Sequence, residues 1–281
     1  MTVHCKPILV TGCSSGIGLS AAEILQKRGY KVVASARIPE DVEALKERGL
    51  QHVVQLDLES SASIDSAIEQ VLEITDGKLF ALFNNGAYGI PGAVEDLSRE
   101  ALRTQFETNL FGTHELTVKL IPTLLKEKDA RIVQNSSVLG FAAMPMRGAY
   151  NASKFALEGL TDTMRIELSE TNIKVSLIEP GPIHTRFREN ALAAMRRHID
   201  FSKSRHRQRY EEALARLTKE GPSSKFTLMP EVVVDKLIHA LESPRPKVRY
   251  YVTFPTYLFA YLRHILSYRQ MDKLLLKVVK S

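Results

Sequence analysis

This chain of 281 residues is short of several things, and each shortage removes a class of explanation. It has two cysteines, Cys5 and Cys13, too few and too close to the start to frame a disulfide scaffold, which suits a reducing cytoplasm. No apolar run approaches the roughly 20 residues that span a bilayer. No secretory leader is expected, because a strand-like run begins by Pro7. Internal repeats and low-complexity tracts are absent. His114-Glu115 lacks a second histidine at Val118, so the zinc-protease helix pattern fails, and nothing else in the chain supports a metal centre. The glycine-rich stretch from Gly12 lacks the Gly-Lys-Ser/Thr ending of a Walker loop.

What is present is the composition of a soluble globule, 44% hydrophobic and 25% charged, whose core needs no staple. The formal charge of +6 is local rather than global. Arg186 to Arg209 carries eight Arg/Lys against Glu189 and Asp200, and the remainder holds 30 basic and 30 acidic residues. Aromatic platforms for bases are sparse in that segment, so nucleic acid is not an expected partner.

Short apolar runs alternate with helical patterns along the chain. Strands are expected at Lys6 to Thr11, Tyr30 to Ala36, Gln51 to Leu56, Leu79 to Phe83, Arg131 to Ser136 and Ile173 to Ile178. Helices are expected at Leu19 to Lys27, Pro39 to Arg48, Ser60 to Thr75, Leu97 to Leu125 and Tyr150 to Ser169. Such alternation implies an α/β fold, a doubly wound parallel sheet with its ligand at the carboxyl ends of the strands. Between the first strand and helix stands Gly12-Cys13-Ser14-Ser15-Gly16-Ile17-Gly18. Glycines in that context let a pyrophosphate approach the free N–H groups at the helix start. Where an NAD site holds an acidic side chain at the end of the second strand, this chain has Ala36 and then Arg37. Arginine pairs with a 2′-phosphate in forked geometry, so NADP is favoured. Asp57 and the Asn84-Asn85 strand end fall on the same edge. Gly112, close to Asn109, permits a bulge in the long helical stretch.

Tyr150 and Lys154 stand four residues apart and share one helix face. A free tyrosine, with a pKa of about 10, is a poor acid or base at neutral pH, and a lysine cation beside it pulls that value down. Ser137, thirteen residues earlier across an apolar loop, offers a second hydroxyl at the same point. About 0.6 Y-x-x-x-K pairs arise by chance in such a chain, so this pair carries weight only with its surroundings.

Those surroundings resemble the short-chain dehydrogenase/reductase family. The matching pieces are T-G-x-x-x-G-I-G at Thr11 to Gly18, Asp57, Asn84-Asn85, Asn109, Ser137, Tyr150, Lys154 and the Pro180-Gly181 turn to Thr185, in the family's order and spacing. Within it, A-S-A-R at the second strand and R-Y-Y-V from Arg249 resemble bacterial NADP-dependent aldehyde reductases of the hydroxysteroid and retinol dehydrogenase-like branch. The resemblance implies a Rossmann-type sheet of about seven strands forming one domain over 1–281, with a helical substrate lid at 186–225 and a C-terminal helical tail at 255–281. It implies that Tyr150 protonates the carbonyl oxygen, Lys154 lowers the pKa of Tyr150 and holds the nicotinamide ribose, Ser137 binds the substrate oxygen, and Asn109 anchors a water. It also implies that Gly12, Ser14, Ser15, Gly16, Ile17 and Gly18 line the pyrophosphate. Asp57 and Leu58 would border the adenine, Asn84 and Gly86 its ribose, and Pro180, Gly181, Ile183 and Thr185 the carboxamide side. The family usually writes Asn-Asn-Ala-Gly where this chain has Asn84-Asn85-Gly86-Ala87. Ala87 is strained if its position needs positive φ, and the exchange is neutral otherwise.

The implied activity is NADP(H)-dependent reduction of an aldehyde or ketone, or the reverse. The apolar loop Val138 to Met146 either faces a lipophilic substrate or packs beneath the lid. The basic lid suits an anionic substrate, the NADP phosphates, an acidic membrane surface or plain solvation. The tail from Tyr257 to Lys280 reads as a pocket cover, an oligomer contact or a peripheral membrane helix. A homodimer or homotetramer is implied by the resemblance. The alternatives are a catalytically silent NADP-sensing module and a membrane-surface protein.

Overall fold

A computed structural model of the chain describes residues 5–218, 221–222 and 224–280. Positions 219, 220, 223 and 281 of the two C-terminal segments, Lys219 among them, lie outside the described residues, as does the side chain of Val278. The strands are β1 (Pro7–Val10), β2 (Lys31–Ala36), β3 (His52–Gln55), β4 (Ala81–Asn84), β5 (Ala130–Asn135), β6 (Ile173–Pro180) and β7 (Arg249–Val252). All pair in parallel, in the order β3-β2-β1-β4-β5-β6-β7. This is the Rossmann-type doubly wound sheet. The continuous apolar runs of β1, β4 and β5 follow from it, because a parallel sheet is covered on both faces.

Helices α1 (Gly16–Lys27) and α2 (Pro39–Glu47), with α9 (Glu231–Glu242), cover one face, where Ala21, Leu25, Val42, Leu45, Val234 and Leu237 meet Ile8, Val10 and Phe83. On the other face α3 (Ser61–Ile74), α5 (Thr113–Leu124) and α6 (Gly148–Glu167) pack Ile64, Val71, Leu116 and Leu120 on Leu9, Leu82 and Ile132. Strand order reverses between β1 and β4, so a crevice opens at their carboxyl ends.

The stretch from Leu97 to Leu125 is not one α-helix. Ser98 caps α4 (Arg99–Phe106) by accepting the Ala101 N–H at 3.0 Å, a π turn occupies Glu107–Gly112, and α5 follows. The glycine of that bulge has a steric cause. A Cβ at Gly112 would lie 1.7 Å from the Leu58 carbonyl oxygen, so the turn after β3 presses on the bulge itself.

Beyond β6, α7 (Phe187–His198) and α8 (Arg207–Thr218) pack around Ile90, Met195 and Tyr210. Helices α10 (Phe254–Leu262) and α11 (Tyr268–Lys280) close the chain, and Phe259 and Leu275 seat against Val138, Leu139 and Ala142. Among the described residues, no helix is long and apolar enough to cross a membrane.

Candidate active site

The register of the sheet sets Val10 level with Phe83, so the turns after β1 and β4 leave it side by side. They are tied together by polar atoms. The Thr11 hydroxyl oxygen accepts the Asn85 and Gly86 N–H groups at 2.8 and 2.9 Å. The Asn85 amide donates to the Thr11 and Gly12 carbonyls at 3.0 and 3.2 Å, and its oxygen accepts from Asn135 Nδ2 at 2.9 Å. Neither Asn85 nor Asn135 is among the binding residues that sequence reasoning selected, although both stand at strand ends on the ligand edge.

The glycine turn has no room for side chains. Gly12 and Gly16 have φ of 69° and 58°, a region that disfavours any side chain. A Cβ at Gly12 would stand 2.7 Å from Gly86 Cα, and one at Gly18 would stand 2.2 Å from the Gly12 carbonyl oxygen. Gly16 faces the Thr185 side chain, and Ile17 packs on the core behind. Ser14 is exposed, and Ser15 precedes α1 without a side-chain capping bond, which leaves the first N–H groups of the helix open to an anion. Ser15, Gly16, His184, Thr185 and Arg186 border a cleft of about 890 Å³. Asn135 Oδ1 is buried without a partner on the same edge. These residues fit a nicotinamide dinucleotide.

Around the turn, several selected residues take places that differ from the expectation. The Asn84 amide donates to Thr117 Oγ1 at 2.8 Å, so its side chain is turned into the helix layer and away from a ribose. Neither Gly86 nor Ala87 has positive φ, so the exchange in the Asn-Asn-Gly-Ala sequence is neutral. Asp57 Oδ1 accepts the Glu59 N–H at 3.0 Å and shapes the turn after β3, while Leu58 packs on Gly86. Gly181 is required by the start of α10. A Cβ there would meet Thr253 Oγ1 at 2.2 Å. Pro180 ends β6 buried, and Ile183 bridges to Leu228. Arg37 is exposed at the end of β2, with its carbonyl accepting from Gln55 Nε2 at 3.1 Å.

At the ends of β5 and α6 three side chains converge. Ser137 Oγ accepts the Leu139 N–H at 3.1 Å, and the Ser137 hydroxyl draws the Tyr150 pKa downward. Lys154 Nζ lies 5.8 Å from the centre of the Tyr150 ring and donates to the Asn135 carbonyl at 2.8 Å. Burial dominates both titrating groups. It pushes the Tyr150 phenol up to about 12, against smaller downward pulls from Ser137 and the Arg147 cation. It brings Lys154 down to about 8, with Glu158 opposing. The expected downward pull of Lys154 therefore does not set the Tyr150 pKa in the protein alone, and the cation that acts on the phenol is Arg147. Phe187 of α7 stands edge-on to the Tyr150 ring at 5.4 Å.

Asn109 is fully engaged. Its amide donates to the Tyr88 carbonyl at 2.9 Å and to Ser153 Oγ at 3.1 Å, and its oxygen accepts the Tyr88 N–H at 3.1 Å. The side chain thus clamps the chain after β4 to α6. Behind Ser137, Glu158 accepts from Ser136 Oγ at 2.7 Å, and Arg249 joins Glu158, Glu179 and Asp162. The fully buried Glu179 is raised to about 8 by burial first and the Glu158 charge second. This network fastens the loop after β5 to α6 and β7. No sequence motif announced it.

Residues 6–196 match the short chain dehydrogenase family. An uncharacterized oxidoreductase of Escherichia coli, YbbO, is 43% identical over 96% of this chain and 94% of its own. An NADPH-dependent 3-dehydrocapnine reductase of Ornithobacterium rhinotracheale is 32% identical over 97% of both chains. Among solved structures, a short chain dehydrogenase/reductase from Burkholderia phymatum in complex with NAD superposes with a TM-score of 0.77 at 26% identity, covering 94% of this chain and 93% of that one. The chain belongs to the short-chain dehydrogenase/reductase family, and it is an oxidoreductase.

Proposed function

We propose that the protein is an NADP(H)-dependent carbonyl reductase that converts aldehydes or ketones to alcohols, and the reverse, with Tyr150 as the acid. The observation that carries this reading is the convergence of Ser137, Tyr150 and Lys154 beside the glycine turn. A phenol with a pKa of about 12 holds its proton at neutral pH, the form that reduction needs. NADPH, when bound, supplies the hydride. The Ser137 hydroxyl would donate to the substrate oxygen as negative charge grows on it. Lys154, still largely protonated at pH 7, would hold the nicotinamide ribose and favour the phenolate as the proton leaves. Gly12 to Gly18 would line the pyrophosphate, Ile183 and Thr185 the carboxamide, and Asp57 and Leu58 the adenine.

The preference for NADP rests on Arg37 and on the absence of a carboxylate at the end of β2. Arg37→Ala is expected to weaken NADPH binding about tenfold or more, the scale of a lost charge-assisted pair, while NADH binding changes little. Fluorescence titration of both cofactors reads this directly, and equal losses would remove Arg37 from phosphate recognition.

The whole chain would work as one unit, with 186–225 as a lid and 255–281 as a cover. Apolar Val138, Leu139, Ala142 and Phe259 form a lipophilic wall beside Tyr150, which suits a lipophilic substrate in a reducing cytoplasm. NADPH oxidation across a panel of carbonyl compounds, graded by chain length and ring size, tests the reading. No turnover with any member would favour a silent NADP-sensing module.

A further inference from the structure

Helix α10 is apolar on both of its faces. Thr256, Phe259 and Ala260 are buried beneath it. Phe254, Tyr257, Leu258 and Tyr261, at spacings i, i+3, i+4 and i+7, point the other way and are 60%, 53%, 36% and 67% exposed. Ile265 after the helix and Tyr268 at the start of α11 are exposed as well. The Phe226 ring stacks on that of Phe254 with centroids 5.5 Å apart, and Leu228 and Met229 that follow it are also exposed. Single exposed apolar side chains are ordinary, but a whole helical stripe joined by a second segment marks an interaction surface.

The charges around this stripe are nearly all of one sign. Residues 250–262 include no charged side chain, and residues 263–280 hold five Arg/Lys against Asp272 alone. Arg263, Arg269, Lys273 and Lys277 are exposed, and among the described residues none of them makes an ion pair. On the other flank Lys225 Nζ stands 5.2 Å over the Phe226 ring. A two-fold contact between copies through this face would set these cations against their own images, so the surface calls for an anionic occupant. Phenylalanine and tyrosine rings beside a basic rim suit the headgroup level of a bilayer, where ring bodies enter the apolar boundary and hydroxyls stay wet.

We propose that α10, the loop 226–229 and the basic residues of α11 dock the protein on the surface of an anionic phospholipid membrane. The buried side of the same helix gives the docking a use. Phe259 packs with Val138, Leu139 and Ala142 beside Tyr150. Arg263 and Tyr251 lie 5.4 and 5.9 Å from the ring centre of Phe141 in the same loop. A lipophilic carbonyl compound dissolved in the bilayer would thus be separated from the wall of the site by one helix. That use rests on the reductase reading, whereas the docking is read without turnover and stands or falls by itself.

The test sediments the full chain with vesicles of phosphatidylcholine, alone or mixed with phosphatidylglycerol. Partition onto the anionic vesicles is expected to exceed that onto the neutral ones about tenfold or more, and to fall as salt is added. Tyr261→Asp and Ile265→Asp, both at exposed positions, should each weaken it about tenfold or more. Arg269→Glu combined with Lys273→Glu should do the same. Lys126→Glu combined with Lys128→Glu, ahead of β5, changes the net charge equally and should leave the partition unmoved. The chain has no tryptophan, so Tyr261→Trp supplies a single reporter whose emission shifts to the blue and is quenched by brominated lipid on binding. No partition, equal partition onto neutral and anionic vesicles, equal losses in the two charge variants, or an unquenched reporter would overturn the proposal. A lower mass for Tyr261→Asp than for the wild type in light scattering without lipid would also overturn it, because a second copy would then cover this face.

Discussion

Burial, more than neighbouring charge, fixes the state of the two titrating groups at the proposed centre. Tyr150 and Lys154 are 8% and 2% exposed, and each is pushed toward its neutral form. The consequence for pH is specific. Lys154 is lowered to about 8, so its cation is present below that value and lost above it. Carbonyl reduction is therefore expected to fall as pH rises through about 8, while Tyr150, near 12, stays protonated throughout. A pH–rate profile under saturating NADPH reads this, and a rate flat to pH 10 would show that the cation is not needed. Much at this scale was legible in the sequence, because glycines, a tyrosine and a lysine at fixed spacing carry their chemistry with them. What was not legible was direction. Asn84 turns inward to Thr117, Asn109 spends its amide on Tyr88 and Ser153, and Arg147 supplies a charge that no motif marks.

Between elements, close approach of backbones explains features that local pattern leaves ambiguous. The π turn at Glu107–Gly112 exists where the Leu58 carbonyl presses on Gly112. Helical periodicity alone reads the whole segment as continuous, since a one-residue bulge barely disturbs an apolar stripe. Glycine hinted at the bulge, but its partner lies some fifty positions away. Gly112→Ala is expected to cost about 2 kcal/mol or more, because the Leu58 backbone cannot yield as a side chain would. Urea unfolding measures it, and a loss below about 0.5 kcal/mol would show that the contact relaxes freely. The Arg249 network is the opposite case. Glu158, Asp162, Glu179 and Arg249 meet only because α6 lies over β6 and β7, so nothing short of the fold reveals them.

For the molecule as a whole, the alternation of strands and helices was enough to give the sheet, and the strand order places the glycine turn and Asn85 in one crevice. The outer surface was less legible, because an apolar side chain on a helix reads as core whether or not anything covers it. Phe111 and Val118 before and within α5, and Phe155, Leu160 and Ile166 on α6, are all exposed. Their burial in a dimer is the expected outcome, and Phe155→Glu should shift the protein to monomer in light scattering at micromolar concentration; an unchanged mass for both proteins would contradict that assembly. The most direct test of the central claim remains a single side-chain atom. Tyr150→Phe removes the hydroxyl and keeps the ring against Phe187. Single-turnover oxidation of bound NADPH by an accepted aldehyde should slow by roughly 10²–10⁴-fold, with NADPH affinity preserved. A variant that turns over at the wild-type rate would show that the proton comes from elsewhere.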